Sequence, residues 1–252
     1  MTVGQQKTHQ QRTRERREER AERILDVTRD LVLRWGYRKT TLNDIARHSD
    51  VGKGTLFLHW RNRDALFLSL LRRERLEMLT ELREAISLER DRLNLHVFVR
   101  ILVRTRAERP LLAALLVGDQ DTLGRLVERK RHAGDSTGLH HEFASYLEEL
   151  RTRGLVRGDL SAADQLCVFT AIHYGFAALP GVAPEDMAPS AELTAELCAE
   201  AVSRTLAPHG SAATPQVEFS EVTAEWLDRM LGLAEERYLA SLEERTSDTG
   251  GN

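Results

Sequence analysis

Thr-Thr-Leu-Asn-Asp-Ile-Ala-Arg-His-Ser-Asp-Val-Gly-Lys-Gly-Thr-Leu-Phe-Leu-His-Trp, residues 40–60, reads as two short helices joined by a tight turn. Thr41 followed three residues later by Asp44 has the spacing of a capping box, with Asp in place of the usual Glu. From that start Leu42, Ile45 and Ala46 fall on one helical face. Ser49, Asp50 and Gly52 interrupt the pattern, and Val51 is the one apolar residue in the interruption. The second helix opens at Lys53-Gly54-Thr55 and sets Leu56 and Trp60 four apart on one side. Helices this short, with a turn this tight, make a helix-turn-helix, whose second helix can enter the DNA major groove.

The flanking sequence completes a three-helix unit. Upstream, Ile24, Leu25, Thr28, Leu31, Val32 and Trp35 recur at three- and four-residue spacing and stop at Gly36. This predicts one long amphipathic helix whose stripe covers the two short ones. Residues 1–14 hold Lys7, Arg12 and Arg14 but no core-forming residues, and are expected to form a disordered basic arm. Downstream, Asn62 is an N-cap and Asp64 suits a first turn. The helix they start continues through Leu66, Phe67, Leu70, Leu71 and Met78 into the rest of the chain. Its N-terminus, beside Arg61 and Arg63, suits a phosphate.

Charge is distributed to match. The chain carries a net −3 over 252 residues, but residues 1–75 alone are at +8 and the remainder at −11. A basic front on an acidic body is suited to meeting a polyanion.

With these residues in view, residues 17–70 resemble the DNA-binding domain of the tetracycline-repressor (TetR) family. The resemblance rests on Thr41, Ile45-Ala46, Ser49-Asp50-Val51-Gly52, Gly54-Thr55-Leu56-Phe57, His59-Trp60 and Arg61-Asn62-Arg63-Asp64. It implies that Gly52, Lys53, Gly54, Thr55, Phe57 and His59 face DNA, with Lys53 and Gly54 nearest the bases. It also implies that Thr40, Thr41, Arg61 and Arg63 hold phosphates and set register. Three departures stand out: Asp50 replaces the usual turn Gly, Gly52 the usual Ser cap, and Phe57 a Tyr whose hydroxyl commonly reaches a phosphate. Asp tolerates left-handed backbone better than most residues, and Trp60 in place of Phe keeps the core role.

The rest reads as helix after helix, which makes the fold class all-α. Segments are expected over Leu93–Arg106, Leu111–Val117, around Leu123, Leu126 and Val127, over Leu139–Arg151, Ser161–Ala178 and Ser190–Leu206. A last helix is expected to be capped by Ser220, and residues 133–138 to form a loop. The domain division is 1–14 arm, 15–62 DNA-binding, 63–206 regulatory and dimerising, and 207–252 an added helix and tail, since many family members would finish near residue 206. By the resemblance, the helical body encloses a small-molecule pocket, for which Leu112, Leu116, Phe143, Tyr146, Phe169, His173 and Tyr174 are candidates. Ordinary core is the competing reading for most of them. Tyr146, His173 and Tyr174 stand out because their polar tips need partners.

The expected molecule is a cytoplasmic homodimer that binds a palindromic operator in double-stranded DNA and is released by a small-molecule inducer. Helices 161–178 and 190–206 are favoured for the dimer bundle. No cofactor or metal is expected, and Cys167 and Cys198 read as reduced, buried thiols. No Ser-His-Asp order, Gly-rich phosphate loop or His-Glu-x-x-His is present, so nothing supports catalysis. No uninterrupted apolar run of about 18 residues suggests a membrane span. Two other readings stay open: a DNA-binding dimer without a ligand, and an all-α binding protein or enzyme whose basic front is incidental.

Overall fold

The computed structural model describes residues 9–119, 123, 135–184, 189–208 and 216–243, and among them every regular element is helical. The first helix, α1 (His9–Lys39), starts earlier than expected, so residues 9–14 are helical. The reason is local: Arg and Glu alternate at helical spacing, as in the Arg14–Glu18 pair at 2.8 Å. Residues 1–8 of the expected arm lie outside the described residues. Gly36, at φ 77° and ψ 161°, breaks the helix where the sequence placed its stop.

Helices α2 (Leu42–His48) and α3 (Lys53–His59) follow. The capping box forms: Thr41 Oγ1 accepts from the Asp44 amide at 3.2 Å, and the Thr41 amide donates to Asp44 at 3.3 Å. Asp50 takes the left-handed conformation, φ 52°, that the turn demands. Helix α4 (Arg63–Leu88) is capped by Asn62, whose side chain accepts from the Ala65 amide at 2.9 Å. After a 3-10 turn come α5 (Leu95–Ala107) and α6 (Pro110–Val117); the latter begins on proline and ends at left-handed Gly118.

Helix α7 (Asp135–Thr152) takes in residues 135–138, where a loop was expected; residues 133–134 lie outside the described residues. The segment expected around Leu123, Leu126 and Val127 lies outside them too, except for Leu123, which is buried. Helices α8 (Ala162–Val182) and α9 (Ala191–Leu206) are capped by Ser161 and Ser190, whose side chains accept from the Asp164 and Leu193 amides. The last helix, α10 (Gln216–Glu243), starts before Ser220, which is buried inside it rather than capping it. Phe219, fully buried, extends the apolar stripe by one turn and carries the helix with it.

Two cores result. The first gathers α1–α4 around Ile24, Leu25, Ile45, Leu56, Trp60, Leu66 and Phe67. The second gathers α4, α5 and α7–α10 around Leu82, Phe98, Tyr146, Val202 and Trp226. Helix α4 serves both. So does α10: Phe219 to Ala234 lie in the second core, and Tyr238 lies in the first. The supposed appendage is therefore a structural strut.

Helix α8 is the exception to good burial. It is apolar and 21 residues long, enough by length and composition to cross a bilayer, yet only 17% of its most apolar window is buried. The missing uninterrupted apolar run had pointed the other way. Cys167 on α8 is exposed and Cys198 on α9 buried, both as free thiols, so the expectation of two buried thiols holds for one.

Candidate nucleic-acid interface

Helix α3 is held from behind. Leu56 and Trp60 are 1% and 2% exposed, and Trp60 Nε1 donates to Ser69 Oγ of α4 at 2.8 Å. The turn before it is closed by the Ser49 amide on the Ile45 carbonyl (2.9 Å) and the Val51 amide on the Ala46 carbonyl (3.0 Å). These bonds fix the angle between α2 and α3 and leave the opposite face of α3 outward. Lys53, Gly54 and Leu58 are exposed there, with Gly52 and Arg61 at the two ends. Thr55 and Phe57 are half-buried at its margins, and Thr41 is exposed at the start of α2.

Three expected contact residues are placed otherwise. Thr40 is fully buried and donates from Oγ1 to the Gly36 carbonyl at 2.9 Å, closing the joint between α1 and α2. His59 is 2% exposed with its ring beside Trp60, so its side chain belongs to the core. Arg63 turns inward: its guanidinium carbon lies 4.0 Å from the centre of the Tyr37 ring, and it donates to the Tyr37 carbonyl. Tyr37 in turn donates to Asp64. Arg63 thus locks α4 onto the end of α1 instead of waiting for a phosphate.

Leu58 was missed. It is 65% exposed on α3, four residues from Gly54 on the same outward face. The signal was available, because a helix that buries Leu56 and Trp60 must turn Leu58 to the other side. An apolar side chain there suits a thymine methyl group in the major groove.

The residues named for a pocket in the helical body are only partly gathered. Phe143, Phe169 and His173 come together, with ring centres 4.8 Å apart for the first two and 5.6 Å for the last two. Tyr146 is fully buried and its hydroxyl pairs with Thr223 Oγ1 at 2.8 Å. Leu112 is in the same core, whereas Leu115 rather than Leu116 packs against it. Tyr174 is 45% exposed and points away. The sequence reading also missed Trp226, which stacks on Tyr146 at 4.7 Å and meets Phe143 at 5.5 Å. No local signal could have found it, because α10 lies some eighty residues further along the chain.

Burial acts on two histidines. It pushes His59 from its ordinary 6.5 down to about 4, aided by the positive charges of Arg17 and Arg20. It pushes His173 down to about 3, aided by Arg106. Between those values and 6.5 the unfolded chain binds more protons than the folded one, so stability falls as pH is lowered through that window. Each histidine contributes a slope of up to about 1.4 kcal/mol per pH unit. Urea midpoints at pH 7 and pH 5 are expected to differ accordingly, and His173→Gln should flatten the dependence. A midpoint that does not move between those pH values would contradict the neutral, buried placement of both rings.

Comparison with known proteins matches this geometry to a family. Residues 24–70 match the family model described as bacterial regulatory proteins, tetR family. The HTH-type transcriptional regulator QacR of Staphylococcus aureus (strain Mu50 / ATCC 700699) is 27% identical over 96 residues, covering 38% of this chain and 51% of that protein. The match thus spans about half the length of that relative.

Proposed function

Because residues 24–70 match the tetR family of bacterial regulatory proteins, we propose that the chain is a transcriptional repressor. It binds a palindromic operator in double-stranded DNA as a homodimer, and a small-molecule inducer releases it. The observation that carries this reading is the outward face of α3. Lys53, Gly54 and Leu58 are displayed on a helix whose back is bolted to α1 and α4, and Arg61 is exposed just beyond its end. Lys53 and Arg61 supply charge for the phosphates and bases, and Gly54 lets the helix axis come close to the groove floor.

The dimer face is assigned to α8 and α9. Cys167 and Tyr174 of α8 are exposed, as are Leu193 and Leu197 of α9. An apolar helix pair left this open is supported by a second copy, which would bury both stripes against their equivalents around a two-fold axis. Such a dimer sets the two α3 helices about one DNA turn apart, or a multiple of it, and the operator mirrors its symmetry.

Release requires the body to move α1–α3. Two ties are in place. Arg73 of α4, with a side chain 5% exposed, reaches Glu22 at 3.0 Å and Asp26 at 2.9 Å, both on α1. Tyr238 of α10 donates to the same Glu22. An inducer that shifts α4 or α10 in the body therefore rotates the unit that carries α3. The coupling is reciprocal, so operator and inducer weaken each other's binding equally.

The test is selection of DNA from a random pool by the purified protein, followed by salt titration on the winning sequence. A palindrome is expected, with affinity falling steeply as salt rises because several phosphates are neutralised. Lys53→Ala should weaken binding to it without unfolding the dimer. An unselected pool at low salt, from protein shown to be folded, would overturn the reading.

A further inference from the structure

Arginines in this acidic body generally have carboxylate partners. Arg104 pairs with Glu192 at 3.4 Å, Arg109 with Glu77 and Glu81, and Arg83 with Asp228 at 2.7 Å. Arg106 does not. Its Nε is sealed from solvent with no acceptor, and no carboxylate among the described residues pairs with its guanidinium. The charges near it make matters worse. Arg75 of α4 adds a second positive charge, and the remaining titratable neighbours are His173 of α8 and Cys198 of α9, both neutral at pH 7. Burial beside Arg75 pulls Arg106 down to about 10, a value at which it is still a cation at neutral pH. Among the described residues, a body with a net −11 thus offers no counter-charge to Arg106, whose side chain is half-buried with its Nε sealed.

Its surroundings are apolar and aromatic. Helices α5, α8 and α9 bring Arg106, His173 and Cys198 together. His173 meets Phe169, and Phe169 meets Phe143, which leads on to Tyr146 and Trp226. His173 is 4% exposed. Trp226 Nε1 is a second sealed donor with no acceptor. Unpaired buried donors cost free energy and are kept where something else completes them. Phe143, Ile172 and Phe176 are partly buried and pack against this core.

We propose that Arg106 is the anchor of the inducer site and that the inducer is an organic anion: a carboxylate on an aromatic or otherwise flat apolar body. The carboxylate accepts from the Arg106 guanidinium, the neutral His173 ring offers one further donor, and the apolar body lies along Phe169 and Phe143. This rests on the ligand-released reading above, but its test needs no DNA.

Calorimetric titration of the intact protein with naphthalene-2-carboxylate, naphthalene-2-methanol and naphthalen-2-ylmethylammonium compares one ring system in three charge states. The carboxylate is expected to bind about tenfold or more tightly than the alcohol, and the ammonium least. Arg106→Met, which keeps the apolar stem, should abolish the preference for the carboxylate over the alcohol. Circular dichroism melting shows whether the variant is folded; if it is not, Arg106→Lys, which keeps the charge but loses the fork, should reduce the preference without removing it. Equal binding of all three probes, preference for the ammonium, no binding of any at millimolar concentration, or an undiminished carboxylate preference in Arg106→Met would each overturn the assignment. If the carboxylate binds as expected but leaves the selected DNA occupied, the anion site stands and the release mechanism fails.

Discussion

Replacing Gly54 with Leu is expected to leave the protein folded and to reduce specific DNA binding by about 10³-fold, down towards the non-specific level. The two halves of this result have separate causes. A Cβ built at Gly54 meets no atom within 4 Å, so the folded monomer has room for a side chain there. Leucine also favours a helix over glycine by roughly 0.8 kcal/mol, so the melting temperature should hold or rise slightly. The space that receives the new side chain is the space the groove floor must occupy. Four added carbons hold α3 away from the bases, which removes base contacts while leaving outer phosphate contacts in reach. Melting curves and binding isotherms on the selected operator read the two halves separately. A folded variant with undiminished affinity would mean that α3 does not approach DNA through this face.

The largest effect on stability is expected from Trp226→Ala, at about 3–5 kcal/mol. Trp226 is 3% exposed and touches three other aromatic rings: Tyr146 at 4.7 Å, Phe143 at 5.5 Å and Phe98 at 5.8 Å. Truncation leaves a cavity between α5, α7 and α10 that these rings cannot refill without giving up their packing on one another. Domains of this size hold only about 5–15 kcal/mol in total, so the loss would be visible in urea or thermal unfolding. If α10 were an appendage packed loosely on a finished fold, the same substitution would cost less than about 0.5 kcal/mol, like a surface change. That smaller value would refute the role of α10 as part of the core.

Much of the molecule was legible before any coordinates. Caps at Thr41 and Asn62, the stop at Gly36 and the turn around Asp50 all depend on hydrogen bonds or backbone torsions a few residues apart. Such signals survive in a linear sequence because their range is local. The errors in boundaries have the same origin. Residues 9–14 lack apolar side chains but form helix through paired charges, and Ser220 resembles a cap but lies inside a helix that Phe219 extends.

The sequence by itself thus determined the all-α class, the helix-turn-helix and the family resemblance of residues 24–70. Only the tertiary structure decided which way individual side chains face. It turned Thr40, His59 and Arg63 inward and Leu58 outward, and it exposed Tyr174. It also brought Trp226 of α10 onto Tyr146 of α7, placed Tyr238 on Glu22, and sealed Arg106 Nε with no acceptor among the described residues. The physical reason is that helical periodicity fixes a stripe only to within about one residue's rotation of 100°. Which edge of the stripe is covered, and by what, depends on helices eighty to two hundred residues away, whose arrival no local pattern encodes.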